Sequence, residues 1–422
     1  MNRIERTVYN MVRDNIRLKR AIRDIYQSAF DVIPVPATRC DYPVAIRPGF
    51  FFGFHDKSPF SADDRFLLGQ KGLIPLRMPT PVDEAEIGVF SGEGWSEYRS
   101  LGRTRAWNWH QGSMLQWLGN GYQFTVNDFD GEKHVARVLD AETGTEVDRL
   151  PCPVAALAPG GLHFASYDFF RSGIGLAGYG YANGIDPEAD SLAPCSHGLV
   201  VGNTATHERS TLFTVDSLAR FEPDSGAAGA FHWISHVQFA PGGKRLKFFH
   251  RWVLPDKRWF TRMFSCNIDG SDLYLFPTNR MVSHVAWRDD RGLLAYARTS
   301  DGDGYYLFGD GDGSFARIGA EAFNCDGHPQ FRSGGRYFVT DTYPDRLRCQ
   351  RLYVYDMSEN KVHLIAAFRS DKKFVGSELT DRYVVDLHPR WNRAGDVICF
   401  DSSHTGVRSL CTVRIPWLQA AE

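Results

Sequence analysis

Six histidines stand at the same phase of a repeated phrase in this chain. His55 opens HDKSPFSADDRFLL, His110 HQGSMLQWLGNGYQFTV, His236 HVQFAPGGKRLKFF, His284 HVAWRDDRGLLAY, His328 HPQFRSGGRYFVT and His388 HPRWNRAGDVICF. A seventh copy, VAALAPGGLHFAS, has Val154 in that place. Imidazole exchanges protons near neutral pH and ligates divalent metals, so a recurring histidine that converges on one point would suit either chemistry. Convergence depends on the elements that carry the repeat.

Each copy reads as a strand entered at the histidine, a turn containing Gly or Asp, and a returning strand of alternating polarity. A second hairpin follows in most copies, as in RVLDAETGTEVDRL (137–150), SCNIDGSDLYLF (265–276) and LYVYDMSENKVHLI (352–365). Four short strands make a propeller blade, and seven copies predict an all-β, seven-bladed β-propeller over 46–418. The last copy has only LCTVRI after its hairpin, so a strand near 43–53 is expected to complete that blade and close the ring. The third copy carries a Gly-rich insertion over about 172–198, read as a lid or rim loop.

In a blade the first strand lines the central channel, so its entry residues from different blades meet on the axis. The second strand runs back to the same end. His250 and Arg251, then Asp341 and Tyr343, then Asp401 and His404 are therefore expected beside the histidines. Arg binds carboxylates, while His, Tyr and Asp move protons or hold metals.

Composition narrows the function further. Aromatic residues make up 14% of the 422, with 40 glycines, which suits short strands and tight turns. The formal charge is -2, so the basic footprint of a nucleic-acid binder is missing. Residues 1–30 read as an amphipathic helix in which Ile4, Val8, Val12, Ile16, Ile22 and Ile25 recur among arginines and lysines. It would dock on the body of the protein, on a second copy, or peripherally on a membrane. Residues 31–45, with three prolines, read as a linker. Without a signal-peptide pattern the expected location is the cytoplasm. The eight cysteines show no C-x-x-C pair and are expected to be reduced. GDGDGS (309–314) reads as a hairpin turn, because Phe315 stands where a calcium loop needs glycine.

Three stretches, ISHVQFAPGGKRLKFFHRW (234–252), DGHPQFRSGGRYFVTDTYPD (326–345) and DLHPRWNRAGDVICFDSSHTG (386–406), resemble the seven-bladed propeller polysaccharide lyases. The first is similar to oligogalacturonate lyases and the other two to ulvan lyases, with the likeness covering roughly residues 230–415. FFGFHDKSPFSADDRFLL and RAWNWHQGSMLQW look like propellers of bacterial polysaccharide gene clusters. The resemblance implies β-elimination on a uronate-containing acidic oligo- or polysaccharide. It implies that His236 acts as base, and that His284, with His328 and His388, holds manganese, calcium or zinc. An ulvan-type site would use His250, Arg251 and Tyr343, leaving His55, His110, Asp341 and His404 to bind substrate. The pair of metal-ligating histidines two residues apart that galacturonate enzymes carry late in the chain has no counterpart here. Two other classes stay open: a non-catalytic carbohydrate-binding or assembly propeller of a polysaccharide biosynthesis system, and a propeller glycoside hydrolase, which needs two suitably spaced carboxylates among residues such as Asp56, Asp128, Asp341 and Asp401.

Overall fold

In the computed structural model, residues 38–375 and 383–418 are described. The helix expected over 1–30 lies outside them. The described strands form seven sheets, each antiparallel throughout, and together they make a seven-bladed propeller.

The blades follow the repeat. Blade 2 runs Gln116–Trp117, Gln123–Phe129, His134–Asp140 and Glu146–Leu150. Blade 4 is the longest, with Phe231–Phe239, Arg245–Val253, Trp259–Asn267 and Tyr274–Leu275. Blade 5 runs Val282–Trp287, Gly292–Thr299, Gly302–Gly309 and Phe315–Ile318, and GDGDGS is the hairpin between its last two strands. In blade 1 the innermost strand shrinks to isolated bridges, Phe60 to Leu67 and Phe51 to Gln70.

Closure is made by Val44–Pro48, which pairs antiparallel with Ser409–Arg414 from Val44 opposite Val413 to Pro48 opposite Ser409. The first strand thus completes the last blade, and the ends of a ring that lacks free inner edges are joined by ladder hydrogen bonds. Arg47 fastens the joint to blade 1: its Nε donates to Trp95 O at 2.8 Å, and Nη1 donates to Thr412 Oγ1 at 3.3 Å. Within the expected linker, Thr38–Cys40 adds a fifth, outer strand to blade 6 against Lys361–Arg369. Three residues sufficed there, because that blade edge already supplied the partner.

The core lies between blades, where facing sheets interdigitate. Phe213 of blade 3 stacks on Phe248 of blade 4 at 6.0 Å, and Phe248 stacks on Phe264 at 5.5 Å. Burying each such ring contributes about 2–3 kcal/mol. All eight cysteines are free thiols, as their spacing suggested. No helix among the described residues is long and apolar enough to cross a membrane.

Candidate active site

The innermost strands do bring the repeated histidines together. Phe54 sits among them, with ring centroids 4.6 Å from His55, 5.0 Å from His388, 5.1 Å from His236, 6.0 Å from His284 and 6.3 Å from His328. His284 and His328 lie 4.0 Å apart, and His328 and His388 4.3 Å apart. The sixth, His110, reaches the group through Tyr179, on which it stacks at 4.7 Å and 8°.

Two features of the backbone aim these rings. A β-bulge interrupts the ladder between Ser235 and Gln238, and His236 takes a left-handed φ of 55°; His388 does the same at 43°. Such conformations cost a non-glycine residue about 1–3 kcal/mol and persist where the surroundings hold them. At His236 the hold is visible: the buried Lys247 donates from Nζ to the His236 carbonyl at 2.9 Å, an oxygen the bulge has taken out of the ladder. Ser235 Oγ lies 2.9 Å from His236 Nδ1.

Burial sets the protonation states. His55, His236 and His388 are held well below the usual imidazole range, first by burial and then by neighbouring positive or titrating groups. Burial brings His328 down to about 3 and Lys247 down to about 7. These four rings, His55, His236, His328 and His388, are therefore neutral imidazoles at neutral pH, able to ligate a metal or receive a proton.

A donor group suited to a metal is built into one side. Atoms of His328, Asp386 and His388 lie within 4.8 Å of one another, and all three residues are buried. His328 Nε2, both ring nitrogens of His388 and Asp386 Oδ1 have no hydrogen-bond partner. Asp341 aims this group from behind: its carboxylate accepts from His328 N–H at 2.7 Å, His328 Nδ1 at 2.8 Å and His388 N–H at 3.1 Å. Burial pushes Asp341 up to about 7, against the lowering effect of those backbone N–H groups. Asp341 was expected to bind substrate; it lies beneath the histidines and fixes the His328 tautomer instead. Two imidazoles and a carboxylate fit manganese or zinc better than calcium, which asks for more oxygens. His284, expected as a ligand, stands outside this trio and places Nδ1 3.1 Å from Asp326.

Strand parity divides the other expected residues. Along Arg245–Val253, Lys247, Phe249 and Arg251 share one face, with Phe249 stacked on His236 at 5.3 Å. His250 points to the other, where His232 Nδ1 lies 3.0 Å from its Nε2 and Arg262 Nη2 3.0 Å from its Nδ1. With both nitrogens engaged, His250 is a structural residue of blade 4 rather than a catalytic one. His404 also stays away from the ring, packed on Phe368 at 4.9 Å with Nδ1 2.8 Å from Ser402 Oγ. Tyr343 joins the group at its mouth, 41% exposed and 5.5 Å from His328.

Arg251 is the most telling of these side chains. It is 3% exposed, and neither Nε nor Nη1 has a hydrogen-bond partner. Burial brings it down to about 10, while Tyr179, Tyr167 and Tyr343 act in the opposite direction. Leaving guanidinium N–H groups buried and unpaired costs several kcal/mol, which an anion placed there would offset.

The insertion bears on the same point. After the strand His163–Ser166 the chain forms the helix Phe169–Gly175, capped by Asp168, and then passes over the histidines. Gly180 lies so close to the Phe169 carbonyl and to Gly173 that any Cβ would collide with backbone. Arg171 donates to His232 O at 2.9 Å and Ser191 O at 2.8 Å, and His197 joins Asp168 at 2.7 Å to Asp186 at 2.8 Å. These contacts hold Tyr179 6.3 Å from Phe54 and 5.7 Å from His236.

Three of the four carboxylates named for hydrolysis are held in ion pairs, and the fourth, Asp341, lies behind His328 and His388. Asp401 accepts from Phe52 N, Arg390 and Arg408, Asp128 pairs with Arg137, and Asp56 pairs with Lys57. Sequence reading missed Phe54, Lys247, Tyr179 and Asp386. Asp386 was accessible, since it stands two residues before His388 and a carboxylate ligates as well as an imidazole there.

No protein-family model matches this chain, and no curated protein does. Among solved structures, it is similar to an oligogalacturonate lyase from Vibrio parahaemolyticus, with 13% identity and a TM-score of 0.58 over 90% of this chain and 93% of that one. An oligogalacturonate lyase in complex with manganese aligns with 16% identity and a TM-score of 0.60, over 91% and 97%. At these identities the shared property is the seven-bladed propeller itself.

Proposed function

We propose that the protein is a propeller enzyme that cleaves a uronate-containing acidic oligo- or polysaccharide by β-elimination. The observation that carries this reading is the convergence of buried histidines around Phe54 beside Arg251, whose buried Nε and Nη1 have no partner. The likeness in fold to oligogalacturonate lyases supports it.

In this reading Arg251 pairs with the uronate carboxylate and stabilises the charge that grows there as C5 loses its proton. His236 takes that proton; its ring is set by Ser235 and its depressed basicity keeps it unprotonated at neutral pH. The C5–H electron pair becomes the C4–C5 double bond, the C4–O bond breaks, and the departing oxygen takes a proton from the Tyr343 hydroxyl at the open mouth. His328, Asp386 and His388 would hold a divalent ion, whose chemistry there is to draw charge from the same carboxylate.

Elimination and hydrolysis differ in the fate of water. Incubation with acidic oligosaccharides and manganese, read by mass spectrometry, is expected to yield fragment pairs whose masses sum to that of the substrate, one of each pair carrying an unsaturated end. A fragment pair heavier by one water and without unsaturation would establish hydrolysis, and intact substrate that remains bound would establish a binding or assembly propeller.

A further inference from the structure

On the same end of the propeller as the histidines, a groove of about 370 Å³ opens between blades 4 and 5, lined by Trp259, Phe260, Asn279, Arg280, Met281 and Arg298. Its position follows from the ladder. Arg298 N–H donates to Met281 O at 2.9 Å, just before the strand that carries His284, and Thr261 N–H donates to Arg280 O at 3.0 Å. Thr261 in turn pairs with Arg251.

Arg251 connects the two places. Its guanidinium carbon lies 5.0 Å from the Phe249 ring, which stacks on His236, and 5.2 Å from the Trp259 ring. Trp259 is nevertheless 48% exposed, so the indole spans from the buried arginine to the open groove. Asn279 and Arg280 both adopt left-handed φ, 39° and 62°, without being glycine. They are the two central residues of the turn closed by Met281 N–H donating to Thr278 O at 2.9 Å, and this turn brings both residues to the groove. Arg280 is paired with Asp224 at 2.5 Å and Arg298 with Asp303 at 2.7 Å, which fixes both guanidinium groups at the groove and offsets part of their charge, leaving the exposed indole of Trp259 as its principal binding face.

We infer that this groove is an outer subsite for an acidic sugar chain, in which Trp259 stacks on a pyranose face and Arg280 and Arg298 meet carboxylates of units beyond the one held at Arg251. The inference rests on the proposed function for the direction of the chain. A flat indole face with cationic edges matches the apolar face and charged rim of a uronate.

Binding isotherms would test it with uronate dimers and hexamers prepared from pectate, alginate and hyaluronan, on His236→Ala, which lacks the proton acceptor, with and without Trp259→Ala, and elimination would be followed in parallel on wild type and Trp259→Ala. In at least one series the hexamer is expected to bind about tenfold or more tightly than the dimer. His236→Ala should show that gain, and adding Trp259→Ala should reduce the ratio of hexamer to dimer affinity to about threefold or less. An equal length dependence in Trp259→Ala, or no preference for hexamers in any series, overturns the subsite. A length gain lost in Trp259→Ala without any elimination product leaves the subsite standing and removes the lyase reading. Elimination with Trp259→Ala indistinguishable from wild type does the reverse.

Discussion

At the scale of residues, the arrangement separates groups that act from groups that aim. His328 keeps Nε2 free because Asp341 occupies Nδ1, so Asp341→Asn should leave the fold intact while loosening the ring. We expect manganese or zinc affinity, read by calorimetry, to fall about 10–100-fold in Asp341→Asn, and metal binding to vanish in Asp386→Ala. Unchanged affinity in both would remove the proposed metal centre. Arg251 makes the opposite prediction for stability. Its unpaired, buried charge is a cost to the free protein, so Arg251→Met should raise unfolding free energy by about 1–3 kcal/mol while abolishing binding of acidic sugars. The histidine ring itself was legible in the sequence, because one repeat phase means one place in the blade. His250 was misread because a one-residue step along a strand changes faces, and the reasoning from strand ends ignored parity.

Among the elements, the joint that closes the ring is a strand ladder that the buried Arg47 ties to blade 1. Arg47→Met removes the donors that meet Trp95 O and Thr412 Oγ1 and leaves a buried carbonyl unpaired. A loss of about 2–4 kcal/mol is expected from the denaturant midpoint, with no change in the ligand affinity of the distant histidines. Closure by residues 44–48 was legible from the incomplete last copy, since a blade short of one strand has to recruit it. The fifth strand at Thr38–Cys40 was not, because three residues among prolines carry no alternation to read. The fold of the insertion was equally hidden: its order comes from Arg171 and His197, whose partners are far apart in sequence or in other elements.

For the whole molecule, burying so many neutral imidazoles makes stability depend on acidity. His55, His236, His250, His328 and His388 all titrate lower in the folded state than in an unfolded chain, so below about pH 6.5 the unfolded state binds the extra protons. Asp341, raised to about 7, and Asp386, also raised by burial, work in the other direction and offset at most two of the five. The net sign is loss of stability as pH falls, by about 1.4 kcal/mol per pH unit for each uncompensated proton. Urea midpoints measured from pH 7 to 5 should fall steeply, and a flat profile would contradict the neutral ring. In the proposed reaction His236 is the proton acceptor, while His250, with both ring nitrogens engaged, is a structural residue. The direct measurement is the ultraviolet absorbance of the unsaturated uronate product, followed with manganese and acidic oligosaccharides for wild type, His236→Ala and His250→Ala. The account predicts a rise for wild type that is lost in His236→Ala and persists in folded His250→Ala; a rise that survives in His236→Ala would contradict it.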